Sequence, residues 1–157
     1  MNDREVMLAV ATVLNADLED PRYSYTQETR SWAHTDMPLK SSKFPRIQVQ
    51  KSDPGVQEII SIGQEFMEWN VIVMDIWFYT ETDFKYLYDT DSYLQNEELC
   101  RQYQDKIETL LKSKQSDLKS TYGLTGFKVM SRPEPTYDNK MQKYVIRSTI
   151  RLWYFEK

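Results

Sequence analysis

Between Trp69 and Thr80 the chain reads WNVIVMDIWFYT, apolar on both of the faces a strand presents. Ile72, Met74, Ile76 and Phe78 fall on one side, and Trp69, Val71, Val73, Trp77 and Tyr79 on the other, broken only by Asp75. A strand with one wet face alternates apolar and polar residues. This pattern therefore predicts a strand covered on both sides, by helix on one and by further protein on the other. A domain of 157 residues supplies one such cover easily and a second with difficulty. A neighbouring copy of the chain is the expected second cover, which points to an assembly role.

The rest of the pattern frames that strand. From Asn2 to about Leu18, Val6, Val10, Val13, Leu14 and Leu18 recur at helical spacing, with Asn2 and Glu5 placed as a capping box and Asp20-Pro21 as the stop. Residues 21–43 have no clear period. A loop this long is uncommon in a compact domain and tends to be functional, so it is expected either to hold a short strand or to lie over a neighbour. FPRIQVQ, Phe44 to Gln50, alternates with period two, turning Ile47 and Val49 inward. Asp53-Pro54-Gly55 signals a turn, and Val56 to about Phe66 reads as the middle strand of an antiparallel meander that ends in 69–80.

Residues 81–91 form an acidic, aromatic connection to a helix capped at Asp91 or Ser92. Its stripe of Leu99, Tyr103, Ile107, Leu110, Leu111 and Leu118 predicts one long helix to roughly Ser120, stopping near Gly123, with Lys112, Lys114 and Lys119 at the favourable end of its dipole. Leu124–Met130 and Gln142–Phe155 are the last strands, separated by a proline-interrupted connection with a turn at Asp138-Asn139. The closing strand carries Tyr144, Ile146, Ser148, Ile150, Leu152 and Tyr154 on one face and Arg147, Thr149, Arg151 and Trp153 on the other. The expected fold class is α+β, a single domain over 1–157 with a long loop at about 21–43. It has a mostly antiparallel five-stranded sheet with an N-terminal helix and one long helix packed on it, in the order α-β-β-β-α-β-β.

Composition narrows the function. A net charge of -4 and a pI near 5.1 argue against broad, non-specific nucleic-acid binding. Eleven Tyr, six Phe and four Trp suit wet interfaces as well as cores. The single cysteine, Cys100, excludes a disulfide framework and a cysteine metal cluster, and its place in a helical pattern makes it a small buried hydrophobe. No apolar run approaches the roughly 18 residues of a membrane span, so a soluble chain made in the cytoplasm is expected. Gly55, Gly63, Gly123 and Gly126 build neither a GxGxxG nor a P-loop phosphate site, and no nucleotide or other cofactor is expected.

His34 is the only histidine, and nothing close in sequence orients it as a general base. Asp75 with Asp83-Phe84-Lys85 offers the acid-x-Lys spacing of a metal-dependent nuclease, with the lysine stabilising charge. The alternative for Asp75 is a strand edge or a polar contact between subunits. Arg46, Arg147 and Arg151 suit forked pairs with a partner's carboxylates, or else a solvated sheet face. Arg147, Arg151 and Trp153 share one strand face, a basic stripe of the kind that binds single-stranded nucleic acid, opposed by the acidic total charge.

Taken in order, the N-terminal helix, the wandering loop, FPRIQVQ, the hairpin into NVIVMDIWFYT, the helix NEELCRQYQDKIETLLKS and the closing KYVIRSTIRLWYF resemble the tail terminator or tail-completion proteins of tailed phages and archaeal viruses. The likeness covers nearly the whole chain, in element order and texture. It implies a structural virion protein without enzymatic activity, assembled in the host cytoplasm into the virion tail or neck. Such a protein forms a homo-oligomeric ring, commonly a hexamer, that caps the tail tube and joins it to the head-side connector. The implied partners are further copies of the chain, the tail tube protein and the neck or head-completion connector, with nucleic acid at most passing through the ring lumen. The expected subunit contacts are Tyr23, Tyr25, Trp32 and His34 in the loop, Arg46 on the first strand, and Arg147, Arg151 and Trp153 on the last. The rival readings are a nuclease on Asp75, Asp83 and Lys85, and a cellular protein-binding module.

Overall fold

Helix α1 spans Asp3–Asp17 in a computed structural model that describes residues 2–35, 43–52, 69–89 and 92–155. Its capping box is formed as expected: the Glu5 N–H donates to Asn2 Oδ1 at 3.0 Å, and the Asn2 N–H donates to Glu5 Oε2 at 2.8 Å. Val6, Val10, Val13, Leu14 and Leu18 are all buried. After a one-turn helix α2 (Tyr23–Thr26) and a two-residue strand β1 (Ala33–His34) come β2 (Arg46–Lys51) and the long β3 (Trp69–Glu81). A hairpin of β4 (Tyr86–Asp89) and β5 (Ser92–Leu94) leads into α3 (Asn96–Ser113) and α4 (Gln115–Tyr122). The chain closes with β6 (Leu124–Ser131), β7 (Thr136–Asp138) and β8 (Lys143–Phe155).

The class is α+β, but the sheet is mixed and has six strands, in the order β1-β2-β3-β8-β6 with β7 also on β8. The expected five-stranded sheet missed β1 and β7. Both are too short to show a period, and β1 pairs in parallel with β2 through Ala33↔Ile47 and His34↔Gln48. What holds β1 is a side chain far away in sequence. Asn15 on α1 accepts from the Trp32 and Ala33 N–H groups at 2.9 Å each and donates to the Ala33 carbonyl at 2.8 Å. Residues 21–35 are thus a structured crossing from α1 to the sheet edge. β7 follows Pro133 and Pro135, which fit the lead-in to an edge strand, and pairs with β8 from Thr136↔Val145 to Asp138↔Lys143.

Three further expectations change. β2 pairs directly with β3, from Arg46↔Tyr79 to Lys51↔Met74, so no strand lies between them in the sheet. The strand read at 56–66 lies outside the described residues. The acidic connection at 81–91 carries β4, which pairs with β5 just beyond it as a separate two-stranded sheet. The long helix breaks at Lys114 into α3 and α4, which turns Leu118 into the core, and Gly123 ends α4 in the left-handed region at φ 72°. The α3 cap is Gln95 rather than Asp91 or Ser92, because the hairpin occupies that stretch.

One core lies between the helices and a single sheet face. Ile47 and Val49 from β2, Ile72, Met74, Ile76 and Phe78 from β3, and Ile146, Ile150, Leu152 and Tyr154 from β8 meet the apolar stripes of α1, α3 and α4 there. Tyr103 is its hub. It stacks on Phe78 at 4.7 Å between centroids, receives Trp32 and Tyr86 edge-on, and donates its hydroxyl to the Glu19 carbonyl at 2.7 Å. Burial pushes that hydroxyl's pKa far up, so it stays a donor. Cys100 is fully buried in the same cluster, and burial raises its thiol to about 12. Among the described residues no helix is long and apolar enough to cross a membrane.

Candidate functional site: the helix-free sheet face

The odd-numbered side of β3 points away from α1, α3 and α4, and among the described residues no helix covers it. Strand register fixes what stands there. Arg46, Tyr79 and Val145 form one row across the sheet, followed by Gln48, Trp77 and Arg147, then by Gln50, Asp75 and Thr149. Val73, Arg151 and Lys128 make the fourth row, and Val71, Trp153 and Gly126 the fifth. His34 joins beside Gln48 through the parallel β1 pairing.

Cations and rings alternate along this face. The Arg46 guanidinium carbon sits 4.2 Å from the Phe44 ring centroid and 5.7 Å from that of Tyr79. Trp77 stacks beside Tyr79 at 6.2 Å, and Arg147 lies 5.5 Å over Trp77. Arg151 lies 5.1 Å over Trp153. Trp153 in turn packs on Gly126, where a Cβ would come within 2.8 Å of the indole. The face is only partly wet: Arg46 is 9% exposed, Gln48 6% and Asp75 7%. Asp75 is satisfied by the Thr149 hydroxyl, which donates to it at 2.7 Å.

The unsatisfied groups are the ones that matter. Arg46 Nε, Trp77 Nε1 and Arg147 Nε are buried without a hydrogen-bond partner among the described residues. A buried N–H left unpaired costs about 1–3 kcal/mol, more when charged. Burial lowers the Arg46 pKa, partly offset by Tyr79, whose own hydroxyl is raised by burial. His34 is lowered first by burial and then by the positive charges of Arg46 and Arg30. These are signs of a cationic site short of acceptors.

The predicted contact residues separate into three places. His34, Arg46, Arg147, Arg151 and Trp153 come together on this face, although they lie on three different strands. Tyr23 and Tyr25 are exposed on α2, with Tyr25 edge-on to Phe84 at 5.8 Å and its hydroxyl donating to the Lys85 carbonyl. Trp32 stands apart: at 1% exposure it is packed in the core against Tyr103. Sequence reasoning missed Phe44, Trp77 and Tyr79 as companions of the arginines. The parity shared by paired strands was the available signal, since Trp77 is level with Arg147 once β3 pairs with β8.

The nuclease set is not assembled. Asp75 sits mid-strand, whereas Asp83 lies in a turn beyond Glu81, eight residues on, or about 26 Å of extended chain at about 3.3 Å per residue. Among the described residues no group of three or more His, Cys, Asp or Glu side chains is placed to hold a metal ion. No known family model matches the chain, and no curated protein matches its sequence.

Proposed function

We propose that this chain is the subunit of a homo-oligomeric ring in a viral tail or neck, a hexameric collar that ends the tail tube and presents a docking surface to the head-side connector. Its role in this reading is structural rather than catalytic. One ring face copies the docking surface of the tube subunit, and the other lacks what is needed to add another tube layer. The partners are further copies of the chain, the tube protein and the connector.

One observation supports this reading above the others: the helix-free face holds a nine-tenths-buried arginine and a half-buried indole whose Nε and Nε1 N–H groups find no acceptor among the described residues. Groups left in that condition fit a surface completed by another protein. The test is the solution mass of the purified protein by light scattering across a concentration series, followed by negative-stain imaging with and without purified tails. A closed ring of about six subunits, alone or on a tail end, is the expected result. A strict monomer that also ignores tails would sink the ring and favour a binding module for a cellular partner.

A further inference from the structure

We infer that the subunits join head to tail, the helix-free sheet face of one copy receiving the acidic β4–β5 and α3 corner of the next. The inference rests on the ring reading above and specifies its contact.

Charge separates the two surfaces. Strands β2, β3, β6, β7 and β8 place Arg46, Lys128, Lys143, Arg147 and Arg151 on the helix-free face, against Asp75, Glu81 and Asp138. All three carboxylates are engaged locally: Asp75 with Thr149, Glu81 with Arg22 at 3.5 Å, and Asp138 with the Lys140 and Met141 N–H groups. The face is thus +2 on a chain of -4, which leaves -6 elsewhere. The corner supplies what the face lacks. Asp83 and Glu98 are exposed and make no ion pair among the described residues, and Glu97 is held only by the exposed Arg101 at 3.7 Å. A hollow of about 350 Å³ opens there, lined by Gln95, Asn96, Glu97, Glu98, Arg101 and Tyr144. The β4–β5 hairpin that leads into α3 bares Leu87 and Tyr93, and Tyr25 lies against Phe84 and Lys85 just before it, the three exposed by 43%, 56% and 56%.

The corner therefore carries carboxylates and bare apolar groups together, and the face carries Arg46 and Arg147 between rings, their Nε–H groups without an acceptor among the described residues. Arg pairs with carboxylate by a two-pronged fork, and aromatic residues with Arg concentrate at interface centres. A single-stranded nucleic acid fits less well. Trp77 and Tyr79 are stacked on one another with Arg147 and Arg46 over them, so their rings are not free for bases. Because face and corner are different surfaces, the contact is heterologous and closes into a ring when its rotation allows.

Two variants with opposite defects test it. Arg147→Glu spoils the face and keeps the corner; Asp83→Asn with Glu98→Ala spoils the corner and keeps the face. Each alone is expected to run as a monomer of 18.8 kDa by light scattering, with wild-type circular dichroism. Mixed, they form a 1:1 heterodimer that grows no further, since only one sound corner and one sound face remain. The charge-neutralising Arg147→Gln and Glu98→Gln weaken wild-type assembly by about tenfold in concentration, which covers the case of a misfolded charge reversal.

Mixtures that stay monomeric, or variants that assemble like wild type, overturn the contact. If wild type still forms rings in that case, the ring reading survives without it. If the heterodimer forms but wild type stops at a reciprocal dimer or grows into open fibres, the contact stands and the tail-ring reading falls. Binding of a fluorescent oligothymidine at physiological salt that Arg147→Glu abolishes, with no change in mass, also overturns the inference in favour of a nucleic-acid surface.

Discussion

Asn15 illustrates how much one side chain decides. Its amide satisfies three backbone groups of the segment that carries Trp32 and His34, and so ties α1 to the sheet edge. Asn15→Ala leaves those groups unpaired and is expected to cost about 2 kcal/mol, read as a lower urea midpoint with an unchanged slope. His34 yields a pH prediction. Its folded pKa is lowered, so above about pH 6.5 both states are neutral and it costs nothing. As pH falls below about 6.5 the unfolded chain takes up the proton first, and stability drops until the folded pKa is passed. Urea midpoints at pH 7.5 and 5.5 check this: the loss on acidification is expected to be smaller in His34→Gln than in wild type.

Among the elements, those with enough length to repeat were legible. Residues 2–18 and 44–50 showed their faces in sequence, and so did 69–80 and 142–155, because burial on one side imposes a period of 3.6 or 2. β1, β7 and the β4–β5 hairpin were not, since strands of two to four residues hold no period and pairing selects them. The candidate site was half legible. The arginines and Trp153 were visible as types, but their meeting with Trp77 and Tyr79 depends on register. Glycines at two element boundaries give a paired prediction. Gly123→Ala has open space around its Cβ but a left-handed backbone, and is expected to cost about 1 kcal/mol. Gly126→Ala strikes Trp153 at 2.8 Å, so it shifts the tryptophan fluorescence and disturbs the fifth row of the face.

At the scale of the molecule, one side of the sheet is covered by its own helices, and among the described residues no helix covers the other. The helix side is built from Val, Ile, Leu, Phe and Tyr, with Glu108 held by Ser148 at 3.1 Å and Arg132 at 3.0 Å. The other side alternates charge and ring. Raising salt is therefore expected to weaken the assembly through that side while leaving the fold intact, since exposed charges are screened and the apolar core is not. Light scattering at 0.05 and 0.5 M sodium chloride, alongside thermal unfolding of a monomeric Arg147→Glu variant, separates the two effects.

Cys100 supplies a clock for this asymmetry. Its sulfur is fully buried between α3 and the sheet and stays protonated at neutral pH, so an alkylating reagent modifies it only when the core opens. The labelling rate then reports how often a subunit breathes. If assembly braces the sheet from its unfinished side, a thiol on the opposite side falls silent as subunits join, and a lone sulfur counts the neighbours it never touches.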